Sequence, residues 1–205
     1  MNAFEFHCPT KIICGEGALH KLPVKIADRG VTKPLIVTDA NLVKLGIAEQ
    51  VFTPLREADV NYSLYDHVPP DSSLNVVNEV ATLYREEKCD GWIALGGGSV
   101  IDTAKGAAAS VSVGEKDFTD LQGSEILQDE LDPLIAIPTT AGTGSEVTLV
   151  AVVADTENHA KLSYTSYRLV PHIAFLDPKL TASLPPRLTA TTGIDALTHA
   201  IEAYT

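Results

Sequence analysis

Cationic residues are scarce in this chain. Its 205 residues carry 15 lysines and arginines against 27 aspartates and glutamates, and 15 − 27 gives a net charge of −12. No basic stripe or basic amphipathic helix gathers the positive charge, so neither nucleic acid nor an anionic membrane is an expected partner. Long apolar runs are also missing, and none approaches the ~20 residues of a spanning helix. Residues 1–7 lack a positive n-region and an apolar h-region, so no secretory signal is expected. Cysteine is rare and odd in number: Cys8, Cys14 and Cys89 form no C-x-x-C pair and read as reduced thiols of a cytoplasmic protein. There is no repeat and no low-complexity tract. What the chain does have is enough apolar material for a real core, 45% hydrophobic against 20% charged residues. That suits one ordinary domain, with room for the start of a second.

Short apolar runs alternate with helical spacing along the chain. Leu35-Ile36-Val37-Thr38 reads as a compact buried strand ending at Asp39. Asn41 is a candidate cap for one following helix, with Leu42, Leu45, Val51, Phe52 and Leu55 on its apolar side. Residues 60–65 read as a second strand. Pro69-Pro70-Asp71-Ser72-Ser73 reads as a stop and a cap before a helix over 74–88. Trp92-Ile93-Ala94-Leu95 is a third strand, and an alanine-rich helix is expected over 99–111. Leu134-Ile135-Ala136-Ile137 is a fourth strand. Such alternation of buried strands and helices predicts an α/β fold, a Rossmann-like doubly wound parallel sheet. Further strands are expected over 149–154, 161–164 and 173–176, the first two as a hairpin around residues 155–158. Pro185-Pro186 marks a boundary, with helix from Leu188 onward. The expected organisation is one domain over 1–184 and the first helix of a second, all-helical domain over 185–205.

Three groups of residues point to chemistry. Gly96-Gly97-Gly98-Ser99 lies between a strand and a helix, where glycines let a ligand approach backbone and a helix N-terminus offers free N–H groups to a pyrophosphate. It is not the G-x-G-x-x-G fingerprint, since Ile101 stands at the third glycine, and an ordinary tight turn would look the same. Asp39, ending a strand, can accept both ribose hydroxyls of an adenosine and repel a 2′-phosphate, favouring NAD over NADP; a loop or cap aspartate is the alternative. Pro138-Thr139-Thr140-Ala141-Gly142-Thr143-Gly144-Ser145-Glu146 places small hydroxyls just past a strand end, where ligands of open α/β sheets bind. Asp195 and His199, four apart, share one helix face. An oxygen and a nitrogen donor together suit Fe²⁺ or Zn²⁺, although catalytic zinc usually takes three protein ligands. Ordinary helices also carry an early aspartate and a histidine one turn on.

Gly96 to Lys105 in the pattern G-G-G-S-x-x-D-x-x-K, the threonine-rich run 138–146 and the run from Gly193 to His199 together resemble the signatures of iron-containing (group III) alcohol dehydrogenases. The glycine motif is shared with glycerol dehydrogenases and dehydroquinate synthases; the threonine-rich run separates this branch from them. The resemblance implies an NAD-dependent oxidoreductase that moves a hydride between an alcohol or diol and its aldehyde or ketone, with Fe²⁺, or Zn²⁺ in its place, polarising the substrate oxygen. It implies that Asp39 faces the adenine ribose, that Gly97, Gly98 and Ser99 face the pyrophosphate, and that Thr139, Thr140 and Thr143 lie along the cofactor. Lys161 would hydrogen-bond the ribose on the nicotinamide side, Leu180 would line the adenine end, and Asp195 and His199 would ligate the metal. Asp102 and Lys105 are framework candidates.

Family members run roughly as long again, and two histidines from their second domain complete the metal shell. None of His7, His20, His67, His159 and His172 sits in a motif matching those ligands. The chain is therefore expected to be truncated. It would be either an oxidoreductase completed from elsewhere or a non-catalytic NAD-binding module, and an exposed apolar interface predicts self-association into a homo-oligomer. A dehydroquinate-synthase-like lyase would carry a different threonine-rich loop.

Overall fold

A computed structural model describes residues 5–114, 123–124 and 127–205. The reading of residues 1–4 as part of a non-signal start lies outside the described residues. The chain folds in the order β1 (Lys11–Cys14), α1 (Leu22–Ala27), β2 (Pro34–Val37), α2 (Ala40–Lys44), α3 (Glu49–Glu57), β3 (Ser63–Tyr65), α4 (Leu74–Glu86), β4 (Gly91–Gly96), α5 (Gly98–Ser112), β5 (Gly123–Ser124), β6 (Leu134–Pro138), β7 (Val150–Asp155), β8 (Ala160–Thr165), β9 (Ile173–Leu176) and α6 (Pro186–Tyr204).

Six strands form one sheet in the order β1-β9-β6-β4-β2-β3. Every neighbouring pair is parallel. Parallel strands need crossovers, and helices supply most of them here, which gives the doubly wound α/β fold expected from the alternation. After β2 the chain moves outward to β3, then returns to place β4 on the other side of β2. That reversal is a topological switch point, the position where open α/β sheets bind ligands beyond their strand carboxyl ends.

Strand residues alternate between two core layers because successive side chains point to opposite faces. Leu35, Val37, Trp92, Ala94, Leu134 and Ala136 pack on the side of α4 and α5. Ile36, Ile93, Leu95, Ile135, Ile137 and Phe175 pack on the side of α1 and α3. Helix α4 buries Val77, Val80, Ala81 and Tyr84, one stripe at helical spacing. Tyr84 stacks on Trp92 with ring centroids 3.9 Å apart. Helix α5 is buried along most of its length, which its alanines permit by allowing close approach on several sides.

Several details differ from the sequence expectation, among them the unexpected β5 and a β3 shortened to Ser63–Tyr65. Asp39, rather than Asn41, caps the helix after β2: its Oδ1 accepts from the Asn41 and Leu42 N–H groups at 2.9 and 3.1 Å. The single helix expected there is two, broken around Gly46 at φ 74°, a left-handed conformation that suits glycine. Strand β1 and helix α1 lie in a stretch whose apolar pattern was too short to register. Finally, α6 begins at Pro186, two residues ahead of the expected Leu188, because proline is well suited to a helix's first turn.

The antiparallel hairpin of β7 and β8 packs over α5, with β5 on its far edge. Helix α6 has no buried residue.

Candidate functional site

The carboxyl ends of β2, β4 and β6 meet at the switch point. The Thr38 hydroxyl donates to the Leu95 carbonyl at 2.8 Å and the Thr139 N–H to the Gly96 carbonyl at 3.0 Å, tying the three ends together. Gly97 is extended and no side chain caps α5. The Val100 N–H turns back to the Gly97 carbonyl at 3.1 Å, which leaves the Gly98 and Ser99 N–H groups at the start of the helix for a ligand.

The glycines are demanded by what lies opposite. A Cβ on Gly97 would meet the Thr140 side chain at 3.3 Å, and one on Gly98 would meet Thr143 Cγ2 at 2.8 Å. The glycine turn and the threonine-rich loop thus form one tight cradle. Thr143 is held in place because its Oγ1 accepts from the Ser145 N–H at 3.2 Å and shares a hydrogen bond with the Ser145 hydroxyl at 3.0 Å.

A cleft of about 860 Å³ opens from this cradle. Gly98, Ser99 and Thr143 line its floor, Val150, Val152, Ala154 and Lys161 of the hairpin form one wall, and Asp195 and His199 of α6 close another. Six of the eleven expected site residues therefore share one cavity. Gly97, Thr139 and Thr140 sit behind the lining, and Asp39 stands at the neighbouring end of β2. The Asp39 cap uses Oδ1 and leaves Oδ2 open among the described residues. Leu180 is placed apart from the cleft, 1% exposed in the core layer with α1 and α3.

Two groups below the hairpin wall are electrostatically unusual. Lys105 is wholly buried in α5, and burial pushes its ammonium down to about 8 against the support of Asp102 and Glu146. Burial raises the Asp102 carboxyl, opposed by Lys105 and by the Val152 N–H it accepts. Asp102 lines the cleft, and its Oδ1 is buried without a hydrogen-bond partner among the described residues.

Asp195 Oδ1 and His199 Nε2 lie 3.8 Å apart. That is inside the ~4.2 Å sum of two ordinary ligand bonds, so one ion can touch both. No cluster of three or more His, Cys, Asp or Glu able to hold a metal occurs among the described residues. The donor set fits a borderline divalent metal through two ligands. The uncapped α5 N-terminus and the glycine cradle fit a pyrophosphate.

Sequence reasoning missed Asp71, Ser72 and the valine wall. Asp71 lines the cleft with a positive φ of 55° and pairs with Lys161 at 3.7 Å. The stop-and-cap reading of residues 69–73 hid it, although its place after β3 puts it on the same sheet edge as Asp39. Val150, Val152 and Ala154 share a face by the period of two, a signal that was present in the strand pattern.

Residues 9–178 match the family model of iron-containing alcohol dehydrogenases. The chain is 43% identical over 202 residues to a choline dehydrogenase of Bacillus subtilis (strain 168), covering 98% of this chain and 50% of that protein. It is 37% identical over 199 residues to an NAD-dependent methanol dehydrogenase of Bacillus methanolicus, covering 97% and 52%. Among solved structures, a 1,3-propanediol oxidoreductase matches with a TM-score of 0.93 at 36% identity, covering 99% of this chain and 53% of that one. A sulfoacetaldehyde reductase from Bifidobacterium kashiwanohense, solved in complex with NAD+, matches at 0.87 and 30% identity, covering 98% and 53%. The chain spans about half the length of the curated relatives it matches. With the family model covering most of its residues, the chain belongs to the iron-containing alcohol dehydrogenase family.

Proposed function

We propose that this chain provides the dinucleotide-binding part and two metal ligands of an oxidoreductase that moves a hydride between a primary alcohol or diol, or the matching aldehyde or ketone, and NAD(H). One observation carries the reading: the uncapped α5 N-terminus, Lys161, Asp195 and His199 converge on a single cleft at the switch point. The relatives' names span choline, methanol, lactaldehyde and 1,3-propanediol, which supports a small hydroxylated or carbonyl substrate without choosing one.

Family membership, together with the cleft's lining, supports the following roles. Gly97, Gly98 and Ser99 hold the pyrophosphate through backbone N–H groups. Asp39 receives the adenosine ribose and repels a 2′-phosphate, which favours NAD over NADP. Thr139, Thr140 and Thr143 shape the cradle, Lys161 reaches the nicotinamide ribose, and Leu180 supports the adenine end from the core. Asp195 and His199 hold Fe²⁺, or Zn²⁺ in its place. When bound, the metal supplies Lewis acidity toward the substrate oxygen and the nicotinamide supplies hydride exchange. The protein's own share is to hold the two reactants at contact distance.

Residues 1–184 act as the cofactor domain, and residues 185–205 supply a helix of a metal-binding unit. The exposed α6 face, with Ile194 at 63%, Leu197 at 55% and Ile201 at 55%, supports self-association of the chain by itself. The three free cysteines support a cytoplasmic setting, and no described helix is long and apolar enough to cross a membrane.

A second reading, a cofactor-binding module without catalysis, is favoured by the exposure of α6, the helix that carries both candidate metal donors and has no buried residue. NADH titration with metal analysis on the purified chain decides between them. NADH binding with about one Fe or Zn per chain, lost in His199→Ala, supports the oxidoreductase. NADH binding without metal leaves the cofactor module, and no NADH binding refutes both.

A further inference from the structure

Strand β7 presents one edge to β8 and the other to helix α5. Among the described residues that second edge pairs with no strand, its one ladder contact being the isolated bridge of Ala154 to Ser73, and its unpaired backbone groups must be satisfied some other way. Three contacts do so in succession. The Lys105 ammonium donates to the Thr148 and Val150 carbonyls, each at 2.8 Å. The Asp102 Oδ2 accepts from the Val152 N–H at 3.0 Å. The Ser72 carbonyl accepts from the Ala154 N–H at 2.8 Å.

The contacts have unequal standing. Lys105 is fully buried, which is costly for a cation unless its donors are matched. Its two carbonyl partners and the nearby Asp102 and Glu146 carboxylates meet that need. Asp102 and Lys105 are three apart on α5, so one helix face delivers an acceptor and a donor to the strand edge together. The residues they grip, Thr148, Val150 and Val152, line the cleft, and Lys161 is carried on the paired strand β8 opposite Ala154.

We infer that Lys105 and Asp102 are positioning residues: they clamp the free edge of β7 to α5 and so set the hairpin wall, with Lys161, over the nicotinamide half of the cofactor. The inference rests on the cofactor reading above. It goes beyond that reading by separating the two halves of the dinucleotide. The pyrophosphate cradle and Asp39 belong to the sheet and hold without the clamp. The hairpin wall does not.

The test compares NADH with ADP as ligands and follows backbone hydrogen exchange. Lys105→Met keeps length and apolar stem but removes the donors. It should speed exchange across residues 148–154 while the Ile93 and Ile135 amides in the sheet stay protected. NADH affinity should fall about tenfold, as expected for a displaced charge-assisted contact, with ADP affinity unchanged. Asp102→Ala should do the same, whereas Asp102→Asn keeps an acceptor for the Val152 N–H and should restore hairpin protection. These two variants carry the test if Lys105→Met does not fold. Equal losses for NADH and ADP, or hairpin exchange no faster than wild type, would overturn the inference. A wild-type chain that binds neither ligand removes the cofactor reading, and the inference with it.

Discussion

Replacing Gly98 by alanine sets two effects against each other, and their sizes predict which wins where. Gly98 has an ordinary backbone conformation, so alanine brings no strain and gains up to about 0.5–1 kcal/mol from reduced chain entropy. The new Cβ would, however, sit 2.8 Å from Thr143 Cγ2 and 3.1 Å from its Oγ1. A relaxed carbon pair needs about 3.5–4.0 Å, so Thr143 must retreat by roughly 0.7 Å or rotate. Rotation breaks its two links to Ser145, worth about 1 kcal/mol each. The net destabilisation is about 1–2 kcal/mol, a fall in Tm of about 2–8 °C for a chain of this size. Binding suffers more, because the Cβ occupies the approach to the α5 N–H groups. Losing one charge-assisted hydrogen bond, about 1.5–3 kcal/mol, is roughly 10- to 150-fold in NADH affinity. Fluorescence titration with NADH beside a thermal melt reads both quantities. Adding Thr143→Ser removes Cγ2 and should recover part of the lost Tm while NADH binding stays weak. Wild-type NADH affinity in Gly98→Ala would refute the cradle, and collapse of the fold would refute the steric accounting.

Gly142→Ala would push a Cβ to 2.8 Å from the Thr192 backbone carbonyl, so α6 must shift; the stability of the fold should change by under about 1 kcal/mol because α6 buries nothing. Co²⁺ binding at Asp195 and His199, followed by its visible absorption, should weaken about tenfold, and unchanged Co²⁺ affinity would count against α6 as a precisely held ligand carrier. Asp39→Ala removes the α2 cap, at about 1 kcal/mol by denaturant melt, and should narrow the preference for NADH over NADPH about fivefold or more; an unaltered preference would remove Asp39 from the ribose site. Burial and then the Arg29 charge lower the pKa of His172, whose Nδ1 accepts the Leu134 N–H at 3.1 Å. An imidazole that resists protonation when folded binds fewer protons than in the unfolded chain, so stability is full above its ordinary pKa of 6.5 and falls on acidification below it. His172→Asn, which keeps an acceptor near the Nδ1 position, should flatten the slope of stability against pH on the acid side of 6.5; an unchanged slope would assign it to other groups.

The sheet was legible because burial imposes a code on sequence. Four-residue apolar runs at 35–38, 92–95, 134–137 and 173–176 could be little else than buried parallel strands. The glycine and threonine-rich loops were legible for the same reason in reverse: small residues just past a buried strand leave room for something else. Lys11-Ile12-Ile13-Cys14 was not, since an edge strand buries little and its pattern of exposure is mostly solvent-facing. Nor was Asp71, whose place in the cleft lining depends on which strands neighbour one another rather than on local spacing. Asp39 was readable as a cap or as a ribose ligand, and its geometry allows both, one oxygen for each.

The two halves of the cleft are built to different tolerances. The proposed cofactor floor is anchored in strands that are wholly buried, β4 and β6 above all, so its N–H groups can hardly move without disturbing both core layers. The proposed metal donors, Asp195 and His199, ride on a helix with no buried residue, held against the body where Thr192 abuts Gly142. A ligand pair on such a helix gains its precision from whatever covers the exposed face of Ile194, Leu197 and Ile201, not from the sheet. Cofactor affinity should therefore be a property the 205-residue chain already has, and metal affinity one that rises when that apolar face is covered. Measuring both on the same preparation, before and after self-association is driven by concentration, separates these contributions: NADH affinity should stay constant while metal affinity climbs.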